Sequence, residues 1–367
     1  MRATGLGCGK LYLAGEYAVM DPGGLAVIAG VDRYVEVAAA GASAPGPGEP
    51  PAGRVASAHY DEPRTYRVGP GGAVEAPGWG EPDLVLRALE VAHGVAAAAG
   101  AETRVLDLDI VSGLDDAETG RKYGLGSSGA VVVAVVDAVT RALGVPLDAM
   151  GRFRAAMSAT VLAGAAGSGG DIACAAHGGV VAYRRPDPDA LRARVLSDPV
   201  AAALEPWPDG EVRRIAVAPS VRLLVGWTGR PADTGDQLAR AGRRTPDPGA
   251  RRAFVASASG AAADLSDALE AGDATAVADA VLRARAALAD HAADRGTVIE
   301  TPQLTALADA AWACGAPGKS SGAGGGDCGI ALDCGGADVA KLHARWRDAG
   351  VTPLDLAFDR RIAGRDG

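Results

Sequence analysis

The sequence predicts an α+β protein built as two domains, and three observations carry that expectation. At 367 residues the chain is longer than a single hydrophobic core usually grows. Hydrophobic residues make up 48% and charged residues 22%, a globular balance that holds despite 52 glycines and 22 prolines. In both halves, short β-rich apolar segments are interleaved with longer helical patterns, and no internal repeat is visible.

Strand-like segments open the chain at Leu11 to Ala14 and Leu25 to Ala40, followed by a Pro/Gly-rich stretch, 41–54, expected as an exposed hairpin excursion. A helical pattern runs from Pro82 to about Ala98, then a strand from Arg104 to Val111 and a polar loop to Tyr123. The turn Gly124 to Gly129 opens the next helix, whose residues from Ser128 onward are apolar on nearly every face. That pattern predicts a buried helix even though β-branched residues are weaker helix formers. A second apolar helix, 148–166, ends at Gly167-Ser168-Gly169-Gly170, and Asp171 is the first acid beyond it. A strand follows from Gly179 to Arg184. The Pro- and Asp-rich 186–210 segment reads as a linker, dividing the chain into domains 1–190 and 191–367. The second half should hold strands near 212–218 and 221–227, Ala-rich helices between 249 and 313, and a glycine turn at 318–326. Strand Cys328 to Leu332, helix 337–349 and a last strand near 353–358 complete it.

Net charge of −9 argues against nonspecific nucleic-acid binding, because no basic surplus exists to neutralise phosphates over a broad surface. An anionic small substrate would need a locally positive pocket. Five cysteines without a C-x-x-C pair speak against a disulfide framework and a zinc site, and the histidines lack ligand spacing. The residues after Met1 run into glycines instead of an apolar signal region, and no run of 18 apolar residues occurs, so a cytoplasmic location away from membranes is expected.

Only four lysines stand among the 36 basic residues, and Lys10, Lys122 and Lys319 lie inside or beside the glycine-rich segments. A lysine ammonium is a compact point charge suited to phosphate, whereas arginine presents a broad planar fork. Gly124 to Gly129 and Gly324 to Gly329 both match the dinucleotide fingerprint G-x-G-x-x-G. Neither has a strand running directly into it, and no acid follows on a next strand about 20 residues later, so an oxidoreductase reading rests on decoys. Gly318-Lys319-Ser320 imitates a Walker A ending without its upstream glycine. What survives is shared physics: glycines let backbone N–H groups approach an anion, and a helix N-terminus adds partial positive charge. Ser127 and Ser128 either belong to such a phosphate cradle or simply cap the helix.

Three segments together resemble the GHMP small-molecule kinase superfamily. They are Gly9-Lys10-Leu11-Tyr12-Leu13-Ala14-Gly15-Glu16-Tyr17-Ala18-Val19, Lys122-Tyr123-Gly124-Leu125-Gly126-Ser127-Ser128-Gly129 and Lys319-Ser320-Ser321-Gly322-Ala323-Gly324-Gly325-Gly326-Asp327-Cys328. Tyr17 after the Gly-Glu pair, with Gly167 to Asp171 and Gly226 to Gly229, is similar to the phosphomevalonate kinase subfamily. Cys8 stands where a Pro is usual, and Gly170 where an aromatic is common. The resemblance implies an S5-like N-terminal domain and a ferredoxin-like C-terminal domain clasping the substrates. It also implies ATP with Mg²⁺ as the donor pair and 5-phosphomevalonate as the small-molecule acceptor, converted to 5-diphosphomevalonate in isoprenoid precursor synthesis. Mevalonate kinase, homoserine kinase, diphosphomevalonate decarboxylase and a non-catalytic nucleotide-binding regulator stay open as alternatives.

By the same resemblance Lys10 and Asp171 are the catalytic pair. Lys122, Gly124, Gly126, Ser127, Ser128 and Gly129 hold the nucleotide phosphates, with Lys122 alternatively beside the acceptor phosphate and the Ser128 hydroxyl reaching Mg²⁺. Ser168, Thr234, Ser321, Gly322 and Ala323 line the acceptor site, where Thr228 also helps close the pocket. Asp171 acts either as general base or by holding Lys10, or it merely caps the following helix. Lys319 is either a phosphate contact or a solvated loop residue, Asp327 a turn residue or a metal ligand, and Trp227 a pocket wall or core filling.

Overall fold

Two long strands organise the first half. β1 (Arg2–Ala14) pairs antiparallel with β2 (Leu25–Gly41) from Arg2↔Ala40 to Ala14↔Val27. Along its other edge β2 pairs first with β7 (Val180–Arg184) and then with β6 (Leu106–Ser112), so one 17-residue strand is the spine of the sheet. In the computed structural model, which describes residues 2–43, 50–80, 83–116, 119–230 and 247–365, this sheet has eight strands. β3 (Gly53–Ser57), β4 (Arg64–Val68) and β5 (Val74–Glu75) extend it beyond β6, and β8 (Glu211–Ile215) extends it beyond β7. β3 runs parallel to β6, while the other pairings are antiparallel.

Helices cover the sheet: α1 (Leu84–Ala98), α2 (Ser127–Ala142), α3 (Ala149–Leu162) and α4 (Gly170–His177). The expected buried helix is α2, with Val132, Val133, Val135, Val136 and Val139 all within the core. It lies almost backbone to backbone on β1, because a Cβ at Gly5 would sit 2.0 Å from the Ala134 carbonyl oxygen and one at Gly7 2.1 Å from that of Ala130. Only glycine permits that approach, and it brings the N-terminus of α2 beside Lys10.

The 186–210 segment is not a linker. Asp187 and Asp198 cap two helices, α5 (Pro188–Ser197) and α6 (Pro199–Leu204), through acceptor oxygens on the first-turn N–H groups, and α6 packs on α3. The expected boundary at 190/191 falls inside α5, and β8, expected to begin the second half, completes the first sheet. Pro-Asp pairs signal helix starts as readily as loops, which is why composition misled here. Of the 41–54 loop, residues 44–49 lie outside the described residues, and the segment from Gly53 already belongs to β3.

The second half carries a four-stranded antiparallel sheet in the order β10 (Gly318–Ser320), β11 (Cys328–Asp333), β9 (Arg222–Trp227), β12 (Thr352–Leu354). The Ala-rich region divides into α7 (Pro248–Ala271), α8 (Ala274–Arg295) and α9 (Pro302–Trp312), and α10 (Val339–Asp348) follows β11. Leu307, Ala331, Leu342 and Trp346 form this region's own core. Phe254, Ala258, Leu288 and Ile299 pack instead on Tyr17 and Ala18, joining α7 and α8 to the turn after β1. The chain then returns to the first sheet: Phe358 bridges Val31, and the buried Asp359 accepts from the Tyr34 hydroxyl at 2.6 Å and from the Gly179 amide at 3.1 Å.

Candidate active site

The three lysine-bearing segments converge on a cleft of about 680 Å³. Its floor is the turn before α2. Gly124 and Gly126 both adopt φ of 81°, the left-handed region that glycine occupies without strain, and Gly126 is the N-cap. Among the described residues no side chain caps α2, and Ser127 and Ser128 are its first helical residues, so the reading in which a serine merely caps the helix does not hold. The first-turn N–H groups and the positive end of the helix dipole are left for an anion in the cleft.

Lys10 is stitched to this turn twice, its backbone N–H donating to Leu125 O at 2.8 Å and its ammonium to Gly124 O at 3.0 Å. Asp171, in the first turn of α4, stands on the other side of Gly126. A Cβ at that glycine would lie 3.0 Å from Lys10 Cε and 3.5 Å from Asp171 Cβ. Gly129 stands behind Asp171 rather than on the cleft floor, and a Cβ there would be 2.6 Å from Asp171 Oδ2. Burial holds the Asp171 carboxyl above its ordinary value, opposed by the Lys10 charge and by the Ile172 and Asp171 amides.

Lys122 is exposed at the cleft edge, its backbone bridged to Asp115. Ser168 lines the cleft, shares a 3.0 Å hydrogen bond with the Tyr12 hydroxyl and accepts at its carbonyl from Tyr183 at 2.7 Å. Burial pushes the Tyr12 hydroxyl far above its ordinary value, so it remains protonated.

From the second region come Ser321, Gly322 and Ala323, all lining the cleft. Tyr17, held at φ 59°, donates its hydroxyl to Ala323 O at 2.7 Å and so ties the first segment to the third. Thr228 spends its hydroxyl on Asp327 O at 3.0 Å. Asp327, at φ 52°, donates its amide to Arg230 O at 2.8 Å, so its backbone organises the turn while its side chain borders the cleft. Trp227 is core, edge-on to Tyr123 at 5.0 Å between ring centres. Thr234 lies outside the described residues.

Lys319 fits neither expectation. It is fully buried in β10, ion-paired with Glu16 and donating to Ser320 O at 2.6 Å, so it is neither solvated nor a contact for phosphate. Glu16, Tyr12 and Asp115 are cleft residues to which sequence reasoning gave no role. A glutamate two residues beyond the apolar end of β1 was the one available signal, since an acid buried there must find a partner.

Phosphate-seeking amides, a lysine and a buried acid in one cleft between two α+β regions are the apparatus of a small-molecule kinase. Residues 83–179 match the family described as GHMP kinases N terminal domain and residues 265–352 that described as GHMP kinases C terminal. The chain belongs to the GHMP kinases. Within them it is 39% identical to the phosphomevalonate kinase of Streptomyces sp. (strain CL190), with 95% of each chain covered. The solved structure of Streptococcus pneumoniae phosphomevalonate kinase in complex with phosphomevalonate and AMPPNP superposes with a TM-score of 0.82 at 29% identity, covering 97% of this chain and 99% of that one. The Lin0012 protein of Listeria innocua superposes with a TM-score of 0.88 at 28% identity, covering 98% of each.

Proposed function

We propose that the chain transfers the γ-phosphoryl group of ATP to the phosphate of 5-phosphomevalonate, giving ADP and 5-diphosphomevalonate in the cytoplasmic mevalonate route to isoprenoid precursors. The observation that carries this reading is likeness along the whole chain to the Streptomyces phosphomevalonate kinase. The cleft supports the chemistry. An acceptor phosphate oxygen attacks the γ-phosphorus, the bond to the β–γ bridging oxygen breaks, and charge is handled by oriented donors rather than covalent steps. The bare head of α2 with Ser127 and Ser128 receives the nucleotide phosphates, and Lys10 meets the transferring group.

A phosphate monoester loses its second proton near pH ~6, so the acceptor oxygen is largely ionised at neutral pH and needs little base catalysis. Asp171 therefore serves as a positioning residue that holds the Lys10 charge. Among the described residues no cluster of three or more His, Cys, Asp or Glu could hold a metal. Mg²⁺ would arrive on the nucleotide, and the Ser128 hydroxyl at the head of α2 is the side chain that would help hold it. When bound, Mg²⁺ neutralises phosphate charge.

The test is Mg²⁺-dependent ADP release with 5-phosphomevalonate, mevalonate, homoserine and galactose, with CO₂ monitored alongside. Turnover confined to 5-phosphomevalonate without CO₂ is expected. Turnover of another acceptor would keep the class and move the substrate; CO₂ would point to decarboxylation, and nucleotide binding without turnover to a regulator.

A further inference from the structure

We propose that Glu16 Oε2 and the Ser321 hydroxyl form the recognition site for the tertiary hydroxyl group on C3 of the acceptor, an inference that rests on 5-phosphomevalonate being that acceptor. Two unsatisfied atoms motivate it. Glu16 is 3% exposed, and its Oε1 is ion-paired with the fully buried Lys319. Its Oε2 is buried with no hydrogen-bond partner among the described residues. Ser321 is 6% exposed, its backbone amide is fixed on Cys328 O at 3.0 Å, and its hydroxyl likewise has no partner among the described residues. Both residues line the cleft, one from each region of the molecule, with Lys319 next but one to Ser321 in sequence.

Leaving a buried carboxylate oxygen unpaired is costly, so a partner delivered by a ligand is the economical solution. A carboxylate only accepts, whereas a serine hydroxyl both donates and accepts. The group that satisfies both carries one hydrogen and a lone pair, which describes an alcohol. A cation is disfavoured because Lys319 already balances the Glu16 charge, and an anion is disfavoured because Oε2 would repel it. The acceptor's carboxylate and phosphate are anions, leaving its C3 hydroxyl. Ribose hydroxyls share this chemistry, but Val19 and Met20 also line the cleft, apolar surface suited to the methyl group that C3 carries and ribose lacks. Lys319 acts through Glu16 and is a positioning residue.

The experiment compares kcat/KM for 5-phosphomevalonate and its 3-deoxy analogue in the unmodified chain and in Ser321→Ala, and repeats the comparison of ATP with 2′,3′-dideoxy-ATP. The unmodified chain should prefer the hydroxylated acceptor by on the order of 10²-fold or more, as sites built around a buried hydrogen-bonding group do. Ser321→Ala should shrink that ratio at least tenfold while the ratio between the two nucleotides stays unchanged. Glu16→Gln should also shrink it, but this variant strands Lys319, so the comparison in the unmodified chain decides if it fails to fold. Equal use of both acceptors, a preference that survives Ser321→Ala intact, or discrimination that follows the ribose hydroxyls instead would each overturn the proposal. If 5-phosphomevalonate itself is not phosphorylated, the functional reading fails and takes this one with it. If it is phosphorylated without discrimination, only the hydroxyl site falls.

Discussion

Lys10 and Lys319 stand in glycine-rich segments that meet at one cleft, and they have opposite tasks. The Lys10 ammonium is anchored by a carbonyl at 3.0 Å and sits near Asp171 with the cleft open before it. Lys319 is fully buried and its charge is consumed by Glu16. A lysine beside glycines is available to phosphate when its ammonium still faces the cleft, as that of Lys10 does beside Asp171. When it is fully buried in an ion pair, as Lys319 is with Glu16, it holds two regions of the chain together instead.

The sharpest way to break this contrast is to remove each ammonium. Lys10→Met should lower kcat by roughly 10³-fold, the scale seen when one donor to developing charge is lost, with a nearly unchanged unfolding midpoint. Lys319→Met should act first on stability, costing about 3–5 kcal/mol because it leaves a buried carboxylate unpaired, as read by guanidinium unfolding, with its effect on turnover limited to weaker acceptor recognition through Glu16. Should Lys319→Met retain its stability while losing turnover, the division of labour would be wrong.

Asp171→Asn sharpens the Lys10 side. A rate loss of roughly 10²-fold is expected, without recovery at high pH, since Asp171 positions Lys10 instead of removing a proton. Because burial raises the Asp171 carboxyl, kcat of the unmodified chain should fall, as pH is lowered, at a value above the ordinary carboxylate range. Recovery of the variant in alkali would restore the base role.

Glycine spacing offers a milder perturbation. Gly129→Ala drives a methyl toward Asp171 Oδ2, and a displacement of about 1 Å at a reacting group costs up to ~10²-fold in rate. Gly260→Ala, in α7 with nothing within 4 Å of the new Cβ, should leave kcat alone and stabilise by roughly 0.5–1 kcal/mol.

The smallest effect lies away from the chemistry. Burial lowers His93 to about 4, and burial with the Arg251 and Arg295 charges lowers His291 to about 4. Both are neutral in the fold but protonate near ~6.5 when unfolded. The unfolded chain then binds more protons between those values, so stability should be flat above pH ~6.5 and decline as pH falls toward 4. Chemical denaturation across that window measures it, and His93→Leu should flatten part of the decline.

Much of the molecule was legible because local pattern determines it. The apolar run of α2 pointed to a buried helix despite its β-branched residues, and the glycines at 124 and 126 pointed to a backbone able to approach an anion, which the structure delivers with both at left-handed φ. The wrong readings had a common origin. In 186–210, Pro and Asp were taken as loop formers when they were helix caps, a distinction that depends on whether the following residues find a surface to pack on. Lys319 was judged by its glycine neighbours, although its fate is set by a carboxylate 303 residues away.

By itself the sequence determined the α+β class, the three lysine-bearing segments, the buried helix that carries Ser127 and Ser128, and the family likeness, because each is written in residues close along the chain. Only the tertiary structure decided which lysine faces the cleft, that β8 and the returning C-terminal residues complete the first sheet, and that Glu16 and Ser321, both lining the cleft, keep oxygens unpaired among the described residues. Charge compensation and burial are sums over residues brought together by folding, and no local pattern contains them.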